Sequence, residues 1–213
     1  MPYDALLFDL DGTLIDTETV AMKTGMEAFA ALGHPVDPAF MHRMVGIDLP
    51  TAAGIIGKAL PLLDQNGLNA HWRQAFQAAI EHDLPLKPTA LDLVSSRHRP
   101  MAVVTSSGRD EAHRKLRLCG LDGYFDTVIT LADVTAPKPA PMPYLLAAER
   151  LGVPPARCLV FEDSETGAES AHRAGCTVVQ VPDMVPATGR WAHHVAQDLM
   201  QGAILAGLFS TGA

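Results

Sequence analysis

Apolar positions in this chain follow two repeats. Five short runs are continuous or nearly so and rich in branched or aromatic side chains: Ala5 to Phe8, Met101 to Val104, Thr127 to Thr130, Cys158 to Phe161 and Thr177 to Val181. Runs of that length and composition are expected of strands buried on both faces. Between them the repeat lengthens to that of a helix over Arg109 to Cys119, Pro141 to Leu151 and Glu165 to Ala174. Gly120, Gly152 and Gly175 stand just past those stretches, where helices stop. Strands alternating with helices predict an α/β fold, a parallel sheet with helices on both faces. One stretch breaks the alternation. From Asp16 to about Leu86 no strand pattern occurs; Met22, Met26, Phe29, Ala30 and Leu32 recur at helical spacing and Gly33 closes that helix. Pro35, Pro38, Pro50, Pro61 and Gly67 divide the remainder, giving roughly four short helices in all. The expected organisation is a core built from residues 1–15 and 88–213, with a helical insertion, 16–87, directly after the first strand.

Composition narrows the classes. A chain of 213 residues that is 48% hydrophobic can bury a substantial core as one domain carrying an insert. A net charge of −8 with no basic run argues against a nucleic-acid surface. Cys119, Cys158 and Cys176 lack metal-ligand spacing and read as reduced, mostly buried thiols. The first strand begins almost at Met1, leaving no signal peptide, and the apolar stretch Met200 to Phe209 is too short to span a bilayer. A soluble cytoplasmic protein without membrane contact is expected.

The candidate chemistry lies at strand ends. Side chains alternate along a strand, so Asp9 and Asp11 face the same way just beyond Phe8. Two carboxylates there repel each other and lose hydration, which a divalent cation would offset. A lone Asp-x-Asp is more often an acidic turn, but three later stretches change that reading. The second strand runs into Thr105-Ser106-Ser107-Gly108, whose hydroxyls and backbone N–H groups before a helix suit a phosphate. The third is followed by Lys138 between Pro137 and Pro139, and the fourth runs into Glu162-Asp163-Ser164. In open parallel sheets ligands bind beyond the carboxyl ends of the strands. Four carboxylates, one lysine and a hydroxyl-rich turn there describe a magnesium-assisted phosphoryl-transfer site. No histidine and cysteine cluster argues for zinc; His193-His194 reads as surface or satisfied core, and Trp72 and Trp191 as packing residues.

At these residues the chain resembles the haloacid dehalogenase-like superfamily, in the branch of β-phosphoglucomutases and phosphoglycolate phosphatases. Asp9-Leu10-Asp11-Gly12-Thr13 matches its first motif, Thr105 its second, Lys138 its third and Phe161-Glu162-Asp163-Ser164 its fourth, all in the family's order. The resemblance implies a Rossmann-like core with a small helical cap between motifs one and two. It implies that Asp9 is the nucleophile and Asp11 the general acid and base, with Mg²⁺ and Lys138 holding Asp9 ionised and fewer positive charges reaching Asp11. It implies Mg²⁺ as cofactor, held by Asp9, the backbone carbonyl of Asp11 and Asp163, with Glu162 acting through water, and phosphoryl oxygens bound by Thr105 and the Ser106 amide.

Departures from the family refine this. Dehalogenases replace the second aspartate of motif one, whereas Asp11 is intact. The mutases carry a cap histidine where Ala21 stands and a cap arginine where Leu49 stands. The family's frequent aspartate after Lys-Pro-x-Pro is Met142 here, which leaves the bonding around Lys138 open. Substrate contacts are expected from the cap: Glu18 and Thr17 beside the hinge, and Arg43, Gly46, Ile47 and Asp48, with charge from Lys23 or Arg73; a solvated helix face is the competing reading. Hinges fall near residues 15–17 and 84–88. The expected function is a Mg²⁺-dependent phosphatase acting on a small phosphorylated metabolite such as a sugar phosphate, as a monomer or weak homodimer. The alternatives are a phosphomutase, needing a second phosphate site, and a non-enzymatic phospho-acceptor switch, which needs no cap.

Overall fold

The computed structural model describes residues 2–45, 47, 49–96 and 99–209. Along the chain come β1 (Ala5–Phe8), four helices α1 (Thr17–Ala31), α2 (Pro38–His42), α3 (Leu49–Ala59) and α4 (Gln65–His82), then α5 (Ala90–Ser95), β2 (Met101–Val104), α6 (Arg109–Leu118), β3 (Thr127–Ile129), α7 (Met142–Leu151), β4 (Cys158–Glu162), α8 (Glu165–Arg173), β5 (Thr177–Gln180), β6 (His194–Val195) and α9 (Leu199–Leu205). The chain divides into two compact units, one of residues Met1–Asp16 with Pro85–Ala213 and one of Thr17–Leu84. Among the described residues no helix is long and apolar enough to cross a membrane.

The larger unit is a parallel sheet in the order β3-β2-β1-β4-β5-β6. β1 is central, and the strand order reverses on either side of it, which opens a crevice at the carboxyl ends. Every residue of β1 and β2 is buried, as continuous apolar runs require. On one face Ala5, Leu7, Ala102, Val104 and Val160 pack with Tyr144 and Ala147 of α7 and with Ala168 and Ala171 of α8. On the other, Phe8 stacks on Phe161 at 5.1 Å. α9 approaches β5 closely through Gly202, where a Cβ would collide with Val179. Gly120, Gly152 and Gly175 all have positive φ, ending α6, α7 and α8.

Three elements go beyond the sequence expectation: α5, β6 and α9. Thr89, at φ 63, precedes α5; its hydroxyl donates to Asp198 and accepts from Met200 N, fastening α5 to the start of α9. His193 accepts from Val178 N through Nδ1, a satisfied partner of β5 as expected. The cysteines are free, Cys158 and Cys176 buried and Cys119 half-buried.

The helical unit packs Ala28, Phe29, Met41, Ile56, Leu63 and Leu68 into its own core. Asp37 caps α2 by accepting from Phe40 N at 2.7 Å, with Pro38 in the first turn, and Asp64 caps α4. The buried stripe of α1 differs from the one expected: Ala30 is exposed, whereas Thr24, Gly25 and Ala28 are buried. Small residues win that face because Trp72 of α4 lies against it. A Cβ on Gly25 would stand 2.7 Å from the Trp72 ring, whose Nε1 donates to Ala21 O at 3.0 Å.

Candidate active site

β1 stops at Phe8, so Asp9 is the first residue past the sheet between β2 and β4, its N–H donating to Phe161 O at 3.0 Å. Gly12, at φ +82, then turns the chain back, its N–H donating to Ile15 O. Glycine is needed there for a second reason: a Cβ would fall onto the Asp163 carboxylate, 3.0 Å from its Cγ. β2 runs into Thr105, whose Oγ1 accepts from Ser107 N at 3.0 Å and tightens the turn into α6. No side chain caps α6, so its leading N–H groups face whatever the turn binds.

Lys138 reaches in from the loop before α7. Its Nζ donates to Asp9 Oδ1 at 2.6 Å, Glu162 Oε1 at 2.6 Å and Val104 O at 2.9 Å. Three donors on three acceptors satisfy the ammonium, so Met142 leaves nothing unpaired around it. Burial works against that charge, but Asp9 and Glu162 hold the lysine well above its ordinary value. Glu162 is wholly buried, and its carboxylate also accepts from Tyr144 at 2.5 Å and Ser164 at 3.2 Å. The geometry thus ties Glu162 to the lysine first. Gly167 of α8 makes room for it: a Cβ there would overlap the Glu162 carboxylate. Gly167→Ala is expected to cost about 1–3 kcal/mol, the range for overpacking, read as a lower urea midpoint with unchanged m-value.

Asp9, Glu162 and Asp163 each offer an oxygen within 4.8 Å of the others. Burial lifts the Asp9 carboxyl to about 7 against the pull of Lys138, and burial together with Asp9 and Glu162 pushes Asp163 to about 9. Such an excess of oxygen donors and negative charge fits a hard divalent cation.

Asp11 has a cation of its own that the sequence reading did not name: its carboxylate lies on the Lys115 ammonium at 2.9 and 3.1 Å and accepts from Ser107 Oγ at 3.0 Å. Lys115 is 6% exposed and also pairs with Glu111. Burial opposes its charge, yet Asp11 keeps this lysine above its usual value. Sequence reasoning missed it because Arg109 to Leu118 looks like a solvated helix; the available signal was its place beside the buried Ala112 and Leu116.

Asp9, Asp11, Thr105, Ser106, Lys138 and Asp163 line one cavity of about 570 Å³ at the carboxyl ends of the strands. Two further sequence candidates belong to the helical unit. Glu18 is on α1, and Arg43 follows α2 with its guanidinium 5.1 Å from the Phe40 ring centroid, both in the helical unit. Gly46 and Asp48 lie outside the described residues.

Known proteins are similar to this chain over most of its length. The fructose-1-phosphate phosphatase of Escherichia coli K12 is 37% identical over 184 residues, covering 84% of this chain and 96% of that protein. A phosphorylated carbohydrates phosphatase of Thermotoga maritima is 32% identical over 177 residues, covering 81% and 82%. The crystal structure of a hydrolase from Deinococcus radiodurans R1, with bound phosphate and sodium, superposes with a TM-score of 0.84 at 26% identity, covering 99% of both chains. Residues 6–181, from the first strand to the end of the fifth, match the family described as haloacid dehalogenase-like hydrolase, and the chain belongs to that family.

Proposed function

We propose that this hydrolase is a Mg²⁺-dependent phosphatase that cleaves a small phosphorylated metabolite of the sugar phosphate class through an aspartyl-phosphate on Asp9. The observation that carries this reading is Asp9 itself, gripped by Lys138 through Oδ1 in the same cavity as the Thr105–Gly108 turn and Asp163. The names of the Escherichia coli and Thermotoga maritima relatives support the substrate class.

Each step falls to a named side chain. Asp9 attacks phosphorus with the oxygen that Lys138 leaves open, and the bond from phosphorus to the leaving oxygen breaks. The Asp11–Lys115 pair gives that oxygen a proton, passed from the ammonium through the Asp11 carboxyl, and Asp11 then takes one from the water that opens the acyl phosphate. Thr105, whose oxygen already accepts from Ser107, has its hydrogen left for a phosphoryl oxygen, and the N–H groups opening α6 serve the others. Asp9, the Asp11 carbonyl and Asp163 would hold Mg²⁺, which supplies charge neutralisation for the phosphoryl group when bound.

The test is a phosphate-release screen over small phosphomonoesters with and without Mg²⁺. Release from sugar phosphates is expected only with the cation, falling by about 10²-fold or more on chelation. Release that is indifferent to chelation would sink the reading, and isomer formation without phosphate release would make the protein a mutase.

A further inference from the structure

Asp183 follows β5 by three residues, and Val181 N donates to Glu162 O at 2.7 Å, which draws this segment to the end of β4. The Asp183 side chain is 10% exposed and its two oxygens are used unequally. Oδ1 accepts from Lys87 Nζ at 2.8 Å. Oδ2 is buried without a protein partner. It lies 3.4 Å from where a Cβ on Gly12 would stand, and the Asp163 carboxylate borders the same point, its Cγ at 3.0 Å. Two carboxylates therefore share the space that a side chain at position 12 would fill. The neighbouring Gln180 donates through Nε2 to Asp163 O at 3.2 Å, yet its buried Oε1 is also unpartnered. A buried carboxylate oxygen without a donor, facing a second carboxylate, calls for a water or an ion between them.

We propose that Asp183 belongs to the cation site: its Oδ2 accepts from a water bound to the divalent cation on Asp9 and Asp163, while Lys87 occupies only Oδ1. This rests on the cation reading given above and adds to it an outer ligand from beyond the four family motifs. Outer carboxylates of this kind change metal affinity by about 10–100-fold when removed. Lys87 adds no ligand to the site, and its positive charge opposes the incoming cation. The two partners of one ion pair are therefore expected to act in different directions, which a merely structural pair would not do.

The experiment titrates Mn²⁺ into the chelator-treated full-length protein and follows free Mn²⁺ by its electron paramagnetic resonance signal. Asp183→Asn is expected to weaken binding by about tenfold, the lower end of the outer-ligand range. Lys87→Met, which keeps the carboxylate, is expected to bind Mn²⁺ as tightly as the wild type or more tightly. Wild-type affinity in Asp183→Asn overturns the proposal, as does equal weakening in both variants, which would mark the pair as a structural tie. Should Asp183→Asn fail to fold, the Lys87→Met titration alone decides, since a loss of affinity there contradicts the proposal. Asp163→Asn separates the two readings: if it binds Mn²⁺ like the wild type, the cation site itself falls, and Asp183 with it.

Discussion

Asp9→Asn is expected to lower phosphate release by about 10³-fold or more at saturating Mg²⁺, because the proposed mechanism makes its carboxylate the phosphoryl acceptor. Its stability should move the other way. The Asp9 carboxyl sits at about 7 in the folded, metal-free protein, against 3.8 as the ordinary value. A raised carboxyl contributes stability that is whole below pH 3.8 and is lost as pH climbs through about 7. Asp163, raised to about 9, extends the loss upward. Without metal the wild type should therefore weaken from acid to alkaline pH, and Asp9→Asn should escape part of that decline. Urea midpoints after chelation are expected to be higher for the variant at about pH 8, with the gap closing toward about pH 5. A variant that keeps near-normal phosphatase activity would remove Asp9 from the mechanism.

Lys138→Met is expected to destabilise the metal-free protein by about 3–5 kcal/mol near neutral pH, the cost of removing one partner from a buried ionic cluster. The side chain is 6% exposed and holds Asp9, Glu162 and Val104 O at once. Its loss leaves a buried glutamate with only Tyr144 and Ser164 as donors among the described residues. Protonating the two carboxylates relieves that excess charge, so the deficit should shrink as pH falls. Turnover is expected to fall with it, since Asp9 loses both its orientation and the charge that favours its ionised form. A Lys138→Met protein with unchanged midpoint and rate would show that the cluster holds neither the fold nor the chemistry together.

Much of the fold was legible because the strands that build it are buried on both faces. Ala5–Phe8 or Cys158 to Phe161 announces itself as an unbroken apolar run, with no partner needed to interpret it. β6 could not be read that way: His194–Val195 is a two-residue edge strand whose pairing is supplied by β5. α9 showed only as an apolar stretch, and α5 begins after a threonine in an unusual conformation that offers no side-chain cap. The residues now gathered around the cavity fall into the same two kinds. Asp9, Thr105 and Asp163 each follow a strand directly, so short local motifs identify them. Lys115, Tyr144 and Asp183 act from helix interiors or a distant loop. Their importance comes from Asp11, Glu162 and Gly12, with which they share no local sequence pattern.

The central place of β1 has a consequence for how the protein is made. Its neighbours are drawn from far along the chain, Leu6 pairing with Met101 and Ala5 with Cys158. During synthesis the first strand therefore leaves the ribosome long before either partner exists, while Thr17–Leu84 can close its own contacts. An apolar tetrapeptide must wait unpaired until Met101–Val104 is made, and on its other side until Cys158–Glu162 is, and loop closure over such spans slows folding. Nascent chains halted before Met101 are expected to carry a finished helical unit and an unmade sheet.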